Sequence, residues 1–159
     1  AFRGRHLPVA TVWCAAVMSA GDRGMTRLLA YYPGDEWVDW WSLDLFSADE
    51  MSAKLPTAFC EEAGRHHKPV MIGESTARYV GVHDGQKSWD KWFAPYFAFI
   101  RGRPEIKAFC YIDWDWAVWS KKLGFTWNDW LDCRIEQDKT VLDLYRKEMD
   151  SPLYRHVSD

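Results

Sequence analysis

Four short apolar runs punctuate the chain, at residues 9–17, 38–46, 68–75 and 106–112. Continuous apolar character bounded by Gly, Pro and polar turns reads as a strand buried on both faces, as in parallel sheets. Helical patterns separate the runs. Met25 to Ala30 makes at most a short turn. Ser47 followed by Glu50 matches a capping box, so a helix is expected from there to about Ala63, with Gly64 as its stop and Pro56 as an interruption. Ser88 caps a helix expected from Trp89 to about Arg101, interrupted at Pro95. The last helix, Lys139 to Met149, has Val141, Leu142, Leu144, Tyr145 and Met149 at helical spacing. Strands alternating with helices argue for an α/β fold with a parallel sheet, either doubly wound or part of a barrel.

Each strand ends in a polar or aromatic group: Trp13, then Asp44 with Phe46, then Glu74, then Asp113 to Trp116. Chemistry gathered at the carboxyl ends of parallel strands is the mark of a (β/α)8 barrel rim. Glu74 closes the most abrupt of the runs, Lys68-Pro69-Val70-Met71-Ile72-Gly73-Glu74-Ser75. Read locally, Glu74 and Ser75 could equally start the next helix. The connection that follows, 76–87, is long and contains Gly81 and Gly85, as binding loops often do. No GxGxxG follows a strand, and no GxSxG elbow is present, which weakens dinucleotide-binding and serine-hydrolase readings.

Composition changes this picture in one respect. Eleven Trp, seven Tyr and eight Phe make 16% of the 159 residues, more than packing needs, and several Trp sit beside Asp. Aromatic faces next to carboxylates suit the C–H face and hydroxyls of a sugar. A net charge of −3, with no long basic run, gives no reason to expect nucleic acid. No apolar stretch of membrane-spanning length is present, and no signal peptide opens the chain. The chain starts without Met and almost at once enters a strand, as a piece of a longer protein would. Cys14, Cys60, Cys110 and Cys133 are widely spaced, which argues against a zinc site and for buried thiols, with a disulfide possible after export. His66 and His67 read as a solvated loop, because adjacent His side chains point different ways.

Tyr31-Tyr32-Pro33-Gly34-Asp35-Glu36-Trp37-Val38-Asp39-Trp40-Trp41-Ser42-Leu43-Asp44, then Lys68 to Ser75, then the Trp-rich end of the fourth run resemble retaining glycoside hydrolases of clan A. The likeness is strongest to the family 26 β-mannanase-like group and covers essentially the whole chain. It implies a (β/α)8 TIM barrel to which residues 1–159 contribute strands five to eight, as the C-terminal half of one domain. It also implies a polysaccharide or oligosaccharide substrate, no cofactor or metal, and an extracellular or periplasmic setting.

By the same resemblance Glu74 is the catalytic nucleophile. The acid/base Glu of the family comes from strand four and is not present in this chain. A retaining hydrolase needs both carboxyl groups, roughly 5 to 5.5 Å apart. Asp44, Asp113 or Asp115 would have to be unusually placed to substitute. The substrate-binding residues expected around Glu74 are Trp13, Trp41, Asp44, Phe46, Trp114, Asp115 and Trp116. Of these, Trp114 or Trp116 resembles the strand-eight aromatic beneath the sugar to be cleaved, whereas Trp119, Trp127 and Trp130 are expected to pack. Phe46 stands where mannanases commonly carry a Tyr that hydrogen-bonds the nucleophile. Four strands alone would leave open sheet edges, so the isolated piece is expected to be inactive and unstable, or to pair with the missing N-terminal half of the barrel. The other reading left open is a non-catalytic carbohydrate-binding protein on the same scaffold.

Overall fold

A computed structural model describes residues 8–17, 24–125, 127 and 129–155. The fold is mixed α/β and divides into two units, residues 1–75 with 98–111, and residues 76–97 with 112–159.

The first unit holds a four-stranded parallel sheet: β1 (Val12–Ala15), β2 (Trp40–Leu45), β3 (Val70–Ser75) and β4 (Ile106–Phe109), paired in sequence order. Every apolar run therefore contains a strand, each shorter than its run. Between the strands lie α1 (Gly24–Leu29), α2 (Ala48–Ser52) and α3 (Lys54–Arg65). Glu50 accepts the backbone N–H groups of Phe46 and Ser47 at 2.5 and 3.0 Å, the reciprocal arm of the expected capping box. The helix then breaks at Ala53, whose ψ is 151°. A continuous helix would drive the Pro56 ring into the carbonyl of Ser52; restarting at Lys54 puts Pro56 in a first turn, where its missing N–H costs nothing.

Gly64 is not the stop. The helix continues to Arg65, and His67 adopts the left-handed conformation (φ 53°) that closes it. His67 N–H donates to Gly64 O at 3.0 Å and Lys68 N–H to Ala63 O at 2.9 Å, a Schellman pair with His in the position usually given to Gly.

Side chains alternate across this sheet. Trp13 and Trp41 point towards α3, where their rings lie 5.7 and 5.1 Å from Phe59 and 4.7 Å from each other. Val12, Cys14, Ser42 and Asp44 share the opposite face, on which Val12, Cys14 and, beyond β4, Cys110 are exposed.

The β2–β3 register slips once. Leu43 faces Ile72, but Asp44 faces Glu74, so Gly73 is an extra residue in β3. A Cβ at Gly73 would collide with the buried Ser42 Oγ and sit 3.6 Å from Asp44 Oδ1. A side chain fits here only if Ser42 moves. The bulge carries Glu74 onto the face of Asp44.

In the second unit, α4 (Gln86–Ser88) runs through a π-helical turn (Trp89–Phe93) into α5 (Ala94–Arg101), whose residues from Ala98 belong to the first unit. The expected interruption at Pro95 takes this form: Ala94 N–H bonds to Trp89 O, five residues back, and Pro95 supplies no N–H for the next helical bond. Ser88 is not the cap; it is buried, and its Oγ accepts Asp84 N–H at 3.2 Å. Trp92, Phe93, Tyr96 and Phe97 are fully buried, with Trp92 stacked on Tyr96 at 4.7 Å. Tyr145 of α7 (Lys139–Met149) packs 5.8 Å from Phe97, and Asp138 caps that helix by accepting Val141 N–H at 3.0 Å. The helix α6 (Trp116–Leu123), absent from the sequence reading, is capped by Asp115 and ends at Gly124 with φ 74°. Among the described residues no helix is long and apolar enough to cross a membrane.

The bulge sets the first test. Gly73→Ala should lower unfolding stability by about 1–3 kcal/mol through overpacking, read as a lower urea midpoint. An unchanged midpoint would mean that Ser42 yields and the bulge does not depend on glycine.

Candidate functional site

Glu74 lies exposed near the C-terminal end of β3, opposite Asp44 in register. Asp44 Oδ1 accepts the Cys14 thiol at 3.5 Å, and its carboxylate also takes the Glu74 backbone N–H. Burial, and then the Glu74 charge, raise Asp44 above the ordinary carboxylate range; the thiol and backbone hydrogen bonds pull the other way. Burial pushes the Cys14 thiol up as well. A hydrogen bond with Ser42 offsets part of this and the Asp44 charge adds to it, so Cys14 stays an S–H donor. The first unit thus holds two carboxyl-bearing residues opposite one another in register, and the charge on Asp44 is penalised by burial and by its neighbour.

Two expected contacts belong elsewhere. Trp41 is 0% exposed, enclosed by Trp13, Tyr32, Phe59 and His66, with ring centroids 4.7 to 5.2 Å away. Its ring is core and cannot meet a ligand there. Trp13, half-buried in the same cluster, shares that face. The reason is the pleat: Cys14 and Asp44 face one way, so Trp13 and Trp41 face the other. Phe46 is half-buried just beyond β2. His66 packs in this cluster and meets Asp35 at 2.9 Å. Cys60 and Cys133 are buried as expected, Cys14 and Cys110 are exposed, and no disulfide joins any of the four.

Trp114, Asp115 and Trp116 belong to the second unit. Trp114 is exposed. Asp115 has both oxygens engaged, Oδ1 by Val118 N–H and Oδ2 by Arg134 Nη2, each at 3.0 Å. Asp113 Oδ1 accepts Ile135 N–H at 2.7 Å, and burial raises its pKa. Both aspartates therefore hold the backbone together. Trp116 is half-buried, donates Nε1–H to Thr76 Oγ1 at 3.4 Å, and packs against Trp130 at 5.0 Å.

Sequence reasoning missed the charge network behind them. Arg134 donates to both oxygens of Asp132 (2.9 and 2.7 Å from Nε and Nη2), and His83 Nε2 lies 3.1 Å from Asp132 Oδ2. Asp132 and Asp115 also form an isolated antiparallel bridge. Beside these groups lies an open cleft of about 480 Å³ lined by Val80, Val82, Val118 and Leu131. Among the described residues no three His, Cys, Asp or Glu side chains converge as a metal ion would need.

The chain is similar to two curated proteins. It is 27% identical over 153 residues to a β-1,3-xylanase from an Alcaligenes species and 25% identical over 152 residues to β-1,3-xylanase TXYA from a Vibrio species. Each match covers 84% of this chain and 33% of the relative, so the chain spans about one third of their length. Among solved structures, the catalytic domain of a GH26 endo-β-1,4-mannanase from Bacillus sp. JAMB-750 matches with a TM-score of 0.39 and 16% identity, over 63% of this chain and 27% of that one. No family model matches. Over most of its length the chain is thus similar to glycoside hydrolases.

The charge network has a pH signature. Hydrogen bonds from Arg134, opposed by burial and aided by the Arg134 backbone and His83, hold Asp132 down to about 2. An unfolded Asp titrates near 3.9. Between these values the unfolded chain binds more protons, so the stabilisation is complete above about pH 4 and is lost as the pH falls through about 2. Asp132→Asn should lower the urea midpoint at pH 7, with the gap to the parent closing between about pH 4 and pH 2. A gap that stays constant would contradict the linkage.

Proposed function

We propose that this chain is the nucleophile-bearing part of a retaining β-glycoside hydrolase of clan A, most like the family 26 group, and that it supplies strands five to eight of a (β/α)8 barrel. The observation that carries the reading is the placement of Glu74: an exposed carboxylate beyond a glycine bulge, at the carboxyl end of the third parallel strand, facing Asp44. The exposure of Val12 and Cys14 on the sheet face opposite α3 supports a barrel interior over a doubly wound sheet.

In this mechanism a Glu74 carboxylate oxygen attacks the anomeric carbon as the glycosidic C–O bond breaks, giving a glycosyl ester. The leaving oxygen takes a proton from an acid/base carboxyl group supplied from outside residues 1–159. That group, now a carboxylate, removes a proton from water, which displaces Glu74 with net retention. Phe46 offers no hydroxyl to Glu74, and Asp44 holds the backbone from which Glu74 projects by accepting its N–H. Trp114, exposed in the second unit, presents an aromatic face of the kind that stacks on a sugar. The substrate is a β-linked neutral polysaccharide; the names of the relatives favour a β-1,3-xylan over a β-1,4-mannan.

Glu74→Gln in the intact protein should reduce turnover of β-1,3-xylan and β-mannan to background while oligosaccharide binding persists, because the change removes the nucleophile and keeps the binding surface. Turnover within a few-fold of the parent would reject the assignment, and binding without turnover in the parent itself would favour the non-catalytic carbohydrate-binding reading.

A further inference from the structure

Cys14 lies on β1, on the sheet face that also carries Val12, Ser42 and Asp44. In register it stands opposite Ser42, two residues before Asp44, and its thiol reaches along the face to that carboxylate. Sγ is 3.5 Å from Asp44 Oδ1 and 3.8 Å from Oδ2. Packing does not ask for sulfur at this position. Val12 and Cys14 are both exposed, and a β-branched residue would suit the strand at least as well. What Cys supplies that Val or Ala does not is a neutral S–H donor.

Asp44 is the link to the site. Its carboxylate accepts that S–H and also the backbone N–H of Glu74, which faces it across the register slip at Gly73. Donors from the two neighbouring strands therefore converge on one carboxylate of β2. An ionised carboxylate only accepts, so both contacts can be made together; a protonated one presents an O–H and has less capacity to accept.

Other groups around Asp44 work against its charge. Burial raises it most, and the Glu74 carboxylate follows. Glu50 of α2 adds to this, although its own carboxylate is engaged by the N–H groups of Phe46 and Ser47. Against these stand the two hydrogen bonds, from Cys14 and from the Glu74 backbone. Glu74 is exposed, so the aim of its carboxylate depends on the backbone that carries it.

We propose that Cys14 is a positioning residue of the glycoside hydrolase reaction: its thiol, acting through Asp44, holds the end of β3 from which Glu74 attacks. This role rests on the reading of Glu74 as nucleophile. Cys14 itself meets no reacting atom; it keeps Asp44 ionised and turned towards the Glu74 N–H. Loss of the donor should therefore slow the chemical step more than it weakens substrate binding. It should also make the site more sensitive to acid, because Asp44 then takes up a proton at higher pH.

The test measures β-1,3-xylan hydrolysis by the intact protein from about pH 4 to pH 8, where the limbs of kcat/KM report the essential acid and base of the free enzyme. Cys14→Val, similar in size but without a donor, and Cys14→Ala should each lower kcat about three- to tenfold, the share of one weak hydrogen bond to a charged group. KM should stay within about twofold, and the acid limb should move to higher pH. Cys14→Ser keeps an O–H of shorter reach and should fall between the parent and Cys14→Val in both respects. Cys14→Val with the parent's kcat and acid limb, Cys14→Ser below Cys14→Val, or a loss carried by KM alone would each overturn the proposal. If Glu74→Gln abolishes turnover while Cys14→Val matches the parent, the nucleophile assignment stands and the role of Cys14 falls. If Glu74→Gln stays active, the nucleophile assignment falls and takes the role of Cys14 with it.

Discussion

The first unit depends on a steric constraint at one position. A Cβ at Gly73 would collide with Ser42 Oγ, so β3 can carry a side chain there only if Ser42 moves, and Gly73 is the residue at which the register slips. Without it, strict alternation along β3 would place Glu74 with Ile72, on the helix-covered face. With it, Glu74 faces Asp44 and solvent. The bulge therefore decides which face carries the carboxylate, and it brings the second carboxyl group opposite it. Asp44 carries the electrostatic cost of that pairing, offset by Cys14 and by the Glu74 backbone.

Much of the first unit was legible in the sequence, because its signals are local. Continuous apolar runs marked all four strands, and Ser47 with Glu50 marked a helix start that the hydrogen bonds reproduce. In the second unit, Lys139–Met149 was likewise readable from periodicity. Gly64 misled because the left-handed residue that ends α3 is His67, which composition does not advertise. The assignment of Trp41 to substrate failed on parity. Trp41 and Asp44 are three residues apart in one strand, so both cannot face the same side, and the choice of Asp44 for the site already excluded Trp41. The signal was present and unused.

The second unit was less legible because its organisation is non-local. Nothing in the neighbourhood of Asp115 distinguishes a sugar ligand from a helix cap held by Arg134, nineteen positions downstream. Asp132, His83 and Arg134 come together only when the loop after β3 meets the loop before α7. The length of the loop after β3 was the one available sign of a binding function. Trp127 and Trp130 were expected to pack, and they do.

The central claim is that Glu74 forms the covalent bond to the sugar. The most direct measurement is to treat the intact protein with a 2-deoxy-2-fluoro-β-xyloside or -mannoside bearing a good leaving group, which slows hydrolysis of the glycosyl ester enough for it to accumulate, and then to map the modified peptide by mass spectrometry. The account predicts a single added glycosyl group on the peptide containing Val70–Ser75, located at Glu74 by fragmentation and absent from Glu74→Gln. A label on any other carboxylate, Asp44 included, would contradict it.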